Sequence, residues 1–359
     1  MPNVLLLERD RLTGLLARLL GAYRVIAPAR RAGELRFDVV TAPDEVVLDY
    51  RNTAKSLKDA FFPQTETLLR YRRTLDRYED IKEAALDQTP TVLLGVRPCD
   101  ARSLVLLDRV FCQGPYCDPY YRARREQTLV IALACEHPRP TCFCHAFGSG
   151  PYDRDSADIM MRVARVNDGQ ADAWLVEAVS ERGAALLDKA GLPAAAPADV
   201  AAADAIQARA EASLQPIEPV AGIEGALGVL FDSPVWQEIA AKCIACGTCT
   251  YVCPECHCFN IEDRTLADGG ERVRAWDACM YPVFTQHASG HNPRPDQAAR
   301  WRQRVNHKFA YLPRNVGLYG CVGCGRCVLA CPVRLDIREV LATVRREYDK
   351  QRAAAEEQQ

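Results

Sequence analysis

Eight of the seventeen cysteines stand in two runs of one form. The first is Cys243-Ile-Ala-Cys246-Gly-Thr-Cys249-Thr-Tyr-Val-Cys253-Pro254 and the second Cys321-Val-Gly-Cys324-Gly-Arg-Cys327-Val-Leu-Ala-Cys331-Pro332. Each reads C-x2-C-x2-C-x3-C-P. Three thiolates on one tight loop can cap three irons of a cubane, while the fourth cysteine is carried to the cube of the other run. Gly247, Gly323 and Gly325 let the backbone close in and aim N–H groups at the sulfurs, and the prolines turn the chain away. Zinc would ask for four ligands in two C-x2-C pairs. Three plus one, twice, is iron–sulfur spacing. The pattern assigns Cys243, Cys246, Cys249 and Cys331 to one [4Fe–4S] cluster and Cys321, Cys324, Cys327 and Cys253 to a second. A chain so equipped transfers electrons.

The rest of the composition excludes more than it proposes. A length of 359 residues suits about two domains. A net charge of -2 leaves no electrostatic footprint for nucleic acid or an anionic membrane. The opening Met1-Pro-Asn-Val-Leu-Leu-Leu lacks the basic segment and apolar length of a signal peptide. Apolar runs such as Leu129 to Cys135 are strand-length, far short of a membrane span. Many cysteines in metal-type spacings without an export signal read as reduced thiolates in the cytoplasm.

Residues 1–190 read as an α/β domain. Thr91 to Val96 and Gln127 to Ala134 are short, apolar, β-branched runs of buried-strand type, with helical stretches at Asp100 to Val110 and Asp118 to Gln127 between them. Met160 to Val166 and Ala173 to Val179 form a predicted hairpin about Asn167-Asp168-Gly169, closed by a helix from Ser180 to Ala190. Residues 191–222 are rich in Ala and Pro and read as a linker carrying one surface helix. Residues 223–350 read as a C-terminal α-helical, two-cluster ferredoxin-like domain with an insertion at 254–320, and 351–359 as a polar, frayed tail. In that domain Ser233-Pro234 opens a helix with Ser as cap and Trp236, Ile239 and Ala240 on its buried face. Asp336 caps another, with Ile337, Val340, Leu341, Val344 and Tyr348 at helical spacing.

Nine cysteines lie outside the eight regular positions. Cys99 and Cys135 follow the two predicted strands, and Cys142-Phe-Cys144 comes a few residues later. Adjacent strands would bring these thiols to one metal site, a third [4Fe–4S] cluster, with Asp100 as an alternative oxygen ligand. The competing reading is four inert, buried cysteines. Cys256, Cys258 and Cys279 in the insertion either pack beside the first cube or hold a further metal, packing being the simpler assignment. Cys112 and Cys117 carry no assignment. Arg294, Arg300, Arg302, Arg304, Lys308 and Arg314 face one acid, Asp296, over the same stretch. They are either a solvated helix face or a positive patch that offsets thiolate charge or docks an acidic partner. Trp276 and Trp301 read as core.

Several segments together resemble a known family: Phe62-Pro-Gln-Thr-Glu66, Val96-Arg-Pro-Cys99-Asp100-Ala-Arg-Ser-Leu, Asp118-Pro-Tyr-Tyr-Arg-Ala-Arg-Arg-Glu126, Thr141-Cys-Phe-Cys144, Phe231-Asp-Ser-Pro-Val-Trp236 and Cys253-Pro-Glu-Cys-His-Cys258-Phe. The chain is similar over nearly its whole length to beta subunits of cytoplasmic, NADP-linked [NiFe] hydrogenases (sulfhydrogenases) and to the A subunit of anaerobic sulfite reductase. The resemblance implies a subunit with no substrate chemistry. It implies a chain of [4Fe–4S] clusters between a flavin/NAD(P)-binding partner subunit and a catalytic one, hydrogenase first and sulfite reductase second. It also favours the third cluster at Cys99, Cys135, Cys142 and Cys144.

The alternative of another class is a stand-alone flavin-dependent iron–sulfur reductase, suggested by a loose likeness of Arg97-Pro-Cys99-Asp100 to the beta subunits of deazaflavin-reducing hydrogenases. No G-x-G-x-x-G follows a strand to cradle its phosphates. Nor do C-x2-C pairs at both ends of the chain suggest a [NiFe] site.

Overall fold

The computed structural model describes residues 4–74 and 77–357, and its contacts divide the chain into two units. The first comprises residues 1–57, 88–217 and 321–325; the second comprises 58–87, 218–320 and 326–359.

The first unit is built on a seven-stranded sheet. Its strands run in the order Leu5–Glu8, Gln170–Ala178, Ile159–Asn167, Thr128–Leu133, Thr91–Val96, Arg24–Arg31, Glu34–Val40. The four strands from Ile159–Asn167 to Arg24–Arg31 pair in parallel, and antiparallel strands flank them. Parallel strands are covered on both faces and read as continuous apolar runs. Every residue of Thr91–Val96 and Thr128–Leu133 is accordingly buried. Leu7, Val92, Ile131, Val163 and Trp174 join one apolar core with Leu16 and Leu19 of the helix Arg9–Ala22. The hairpin turn at Asp168-Gly169 takes positive φ at both residues, as a tight two-residue turn requires. Ser180 caps the helix Glu181–Asp188 by accepting from Gly183 N–H.

The stretch read as a linker is largely ordered on this unit. The helix Pro197–Ala212 packs on the strand Ile159–Asn167 and buries Ala203 and Ala210. Its alanines allow the close approach, and Asp204 takes an ion pair from Arg162.

The second unit departs from the all-helical expectation. It holds a four-stranded antiparallel sheet in the order Phe259–Leu266, Gly269–Trp276, Thr65–Arg73, Tyr78–Glu83. Residues 58–87, expected in the N-terminal domain, therefore belong here. The insertion expected at 254–320 supplies the pairing hairpin. Gly269 and Gly270 make the pairing close: a Cβ at Gly269 would meet Tyr71 O at 2.0 Å, and one at Gly270 the Tyr71 hydroxyl at 2.5 Å. The buried ion pair Arg274–Glu66 ties the two central strands.

Helices complete the unit. Val235–Ala240 is capped at Pro234 rather than Ser233, which instead accepts from Val235 N–H at 3.3 Å. Trp236, Ile239 and Ala240 are buried as expected, as are Trp276 and Trp301. Asp336 caps Ile337–Glu356 through Arg338 N–H, and Ile337, Val340, Leu341 and Val344 are buried. That helix extends through most of the predicted frayed tail, of which residues 358–359 lie outside the described residues. Among the described residues no helix is long and apolar enough to cross a membrane.

Candidate metal centres

The first unit brings Cys99, Cys135, Cys142 and Cys144 to one cavity of about 420 Å³ empty volume, which Cys324 also lines. Strand order accounts for this. Thr91–Val96 and Thr128–Leu133 are parallel neighbours, so the segments leaving their carboxyl ends meet, the usual place for a site in such a sheet. Cys99 sits in the first turn of the helix Pro98–Cys112. Cys135 N–H donates to Pro151 O at 2.9 Å, and Cys144 opens the short helix Cys144–Phe147.

The cavity is positively lined. Arg51, Arg97 and Arg139 border it. Arg97 is 5% exposed, stacks 4.3 Å from the Tyr50 ring and donates to carbonyls of Leu133 and Ala134. Arg139 Nε is buried without a hydrogen-bond partner. Burial pushes the Cys144 thiol up to about 12 and raises Cys135, which Arg97 partly counters. A metal that binds here must displace these protons, and the bordering arginines would offset the thiolate charge that results. Asp100 is fully buried and does not line this cavity.

The 321–325 loop belongs to the same unit and meets the 141–144 loop without a gap. Phe143 N–H donates to Gly323 O at 2.8 Å. A Cβ on Gly323, whose φ is +63°, would lie 2.4 Å from the Phe143 carbonyl. Only glycine fits there.

In the second unit Cys243, Cys246, Cys249 and Cys331 line one cavity of about 470 Å³ empty volume, with Cys327 beside them. Gln297 Nε2 donates to Cys243 Sγ at 3.2 Å and Leu335 N–H to Cys331 Sγ at 3.3 Å. Ala245 and Gly247 hold the positive φ that folds the loop around its sulfurs. The other predicted set is divided: Cys321 and Cys324 fall in the first unit, Cys327 and Cys253 in the second. Cys253 is buried and accepts from Lys308 Nζ at 3.3 Å. A hydrogen bond from Cys256, aided by Lys308, holds its thiol well below the usual range. In the same way a hydrogen bond from Cys258 pulls Cys279 down to about 5. Among the described residues no three His, Cys, Asp or Glu side chains close on a point fit for a lone metal ion. A cube gives each thiolate its own iron, so its ligands ring a cavity rather than converge on one ion.

The basic stretch is not a solvated face throughout. Arg300, Arg304 and Lys308 are buried, at 7%, 2% and 5% exposure, while Arg314 is exposed. Cys112 and Cys117, which carried no assignment, are joined in a disulfide across a Cα–Cα distance of 4.1 Å, against the general expectation of reduced thiolates. The chain turns back after the helix Pro98–Cys112, and Asp118 N–H bonds Phe111 O at 2.8 Å, which brings the two together.

Residues 242–335 match the model of the 4Fe–4S dicluster domain family. This is an iron–sulfur protein of the electron-transfer class. Over 331 residues the chain is 31% identical to the sulfhydrogenase 2 subunit beta of Pyrococcus furiosus, covering 91% of this chain and 94% of that protein. The chain belongs to the sulfhydrogenase beta-subunit family.

Proposed function

We propose that this chain is the electron relay of a hydrogenase-type complex, linking a flavin/NAD(P)-binding subunit to a catalytic subunit. Its relative is named as a subunit of a sulfhydrogenase, which favours hydrogenase over sulfite reductase as the partner activity. Three ligand sets build the relay: Cys243, Cys246, Cys249 and Cys331; Cys321, Cys324, Cys327 and Cys253; and Cys99, Cys135, Cys142 and Cys144. Clusters so held accept and release single electrons. The protein's own part is to space the sites, keep water from them and tune them by hydrogen bonds and buried charge.

The observation that carries the reading is the contact between the 141–144 and 321–325 loops. Cys142 Sγ lies 3.8 Å from Cys324 O, and Phe143 is bonded to Gly323. Two thiolate loops that share a backbone hydrogen bond set neighbouring stations of a transfer chain at minimal spacing.

The assembly isolated anaerobically from its native host provides the test. NAD(P)H should bleach the iron–sulfur absorption of the assembly and leave the separated chain unchanged. Bleaching of the flavin-free separated chain by NAD(P)H would refute the relay assignment.

A further inference from the structure

Cys256, Cys258 and Cys279 are used by none of the three sets. Cys256 and Cys258 lie just before the strand Phe259–Leu266, and Cys279 follows its antiparallel partner Gly269–Trp276. The register pairs Phe259 with Trp276, and Asp277 N–H bonds Cys258 O at 3.0 Å. The base of this hairpin thus brings together thiols twenty residues apart in sequence. All three line one cavity of about 280 Å³ empty volume, with Glu255, Arg304, His307 and Lys308 around it.

The charges about this cavity do not balance. Arg304 is 2% exposed and donates to Thr250 Oγ1 at 3.2 Å, Cys249 O at 3.0 Å and Cys256 Sγ at 3.7 Å. Its Nε is buried with no partner. Lys58 is also 2% exposed, donates to Cys256 O at 2.7 Å and lies 3.8 Å from the Trp276 ring centroid. Among the described residues neither cation has a carboxylate in ion-pair range, and the carboxylate lining the cavity is Glu255. A buried cation without a counter-charge is costly. Here the groups able to supply the missing negative charge are the sulfurs. Arg304 lies between this cavity and that of Cys243, Cys246, Cys249 and Cys331 and reaches the Cys256 sulfur directly, while Lys58 approaches through the Cys256 carbonyl.

We propose that Cys256, Cys258 and Cys279 hold a further iron–sulfur cluster, distinct from the two regular sites and from that of the first unit. Each thiol gives its proton to solvent as its sulfur bonds iron, and Arg304 and Lys308, which line the cavity, face the resulting negative charge. His307 lines the same cavity with a side chain that makes no hydrogen bond among the described residues, and so offers a nitrogen to the remaining corner. Arg304 also binds the carbonyl of Cys249. This places the further cluster next to the first ferredoxin-type loop and gives the relay a branch or an additional station.

The full chain, purified anaerobically, is compared with Cys258→Ala/Cys279→Ala for iron, acid-labile sulfide and zinc. The variant should lose about four irons and four sulfides per chain, with the remaining reduced-state EPR signals retained. Unchanged iron, or loss of one zinc instead, overturns the proposal. If the double variant does not fold, Cys258→Ser decides by EPR and redox titration. A shift in the g values and midpoint of one signal is expected, because oxygen replaces one sulfur. A spectrum and titration superimposable on the parent would contradict the site.

Discussion

The two units bury different things. The first encloses a continuous apolar core in which Leu7, Val92, Leu94, Ile131 and Trp174 close over a mixed sheet. The second buries more charge, namely Lys58, Glu66, Glu255, Arg274, Arg300, Arg304, Lys308 and Arg326, against Arg97, Asp100, Arg162 and Glu177 in the first. Apolar burial contributes roughly 25 cal/mol per Å² and can sustain the first unit without help. The second unit also buries Phe62, Trp236, Val305, Phe309 and Val344, but each desolvated charge beside them opposes folding until an opposite charge joins it. The contrast predicts where iron matters most for stability: less in the first unit, with its continuous apolar core, and more in the second, whose buried cations lie beside its thiols.

Removing iron should produce the largest effect. Apparent metal-binding free energies of about 10–16 kcal/mol are known for zinc-finger peptides, and the second unit, with more of its proposed ligands and more buried charge, should lose the larger share of its stability. Oxidation with a chelator should expose the amides of Val340 and Val344 to hydrogen exchange while those of Val130 and Leu175 stay protected. Equal loss of protection in both units would break the contrast.

The next effect belongs to the Glu66–Arg274 pair, whose side chains are both 5% exposed. Glu66→Ala leaves a buried guanidinium uncompensated and should cost about 3–5 kcal/mol. Urea unfolding followed by circular dichroism should show that loss in the transition assigned to the second unit. A smaller effect is expected from Gly323→Ala, at about 1–3 kcal/mol for a non-glycine residue at positive φ. Its new methyl must push the 321–325 loop from Phe143, so the spectroscopic change should exceed the stability change. The smallest is Ile131→Val in the first unit, about 0.5–1.5 kcal/mol by methylene loss. Iron content should be unaltered there, and a loss of iron would show that the apolar core is coupled to the cavity of Cys99, Cys135, Cys142 and Cys144 in the same unit.

Much of the first unit was legible because its signals are local. Thr91–Val96 and Thr128–Leu133 announce themselves as apolar runs, and the helices expected near Asp118 and Ser180 form, each capped by that residue. The sheet of the second unit was not. Thr65–Arg73 and Tyr78–Glu83 are mostly charged and polar, and the partner of the first lies some two hundred residues later. Pairing at that separation leaves no periodicity to read. The regular cysteines were legible because ligand spacing is a local constraint, and the convergence of Cys99 with Cys135 followed once the strands were adjacent. The grouping of Cys258 with Cys279 depends on hairpin register. The inward course of Arg304 depends on which face of the helix Gln297–Asn306 is buried, which a run of basic residues conceals.

The central claim is a relay in which the cluster of the 141–144 loop neighbours that of the 321–325 loop, and magnetic coupling between them tests it most directly. The full chain reduced with dithionite should give an EPR spectrum broadened by spin–spin interaction. Cys142→Ala should remove about four irons and collapse that broadening to the spectrum of the remaining clusters. If the variant keeps its full iron content and an unchanged spectrum, no cluster occupies the first unit and the proposed relay loses that station.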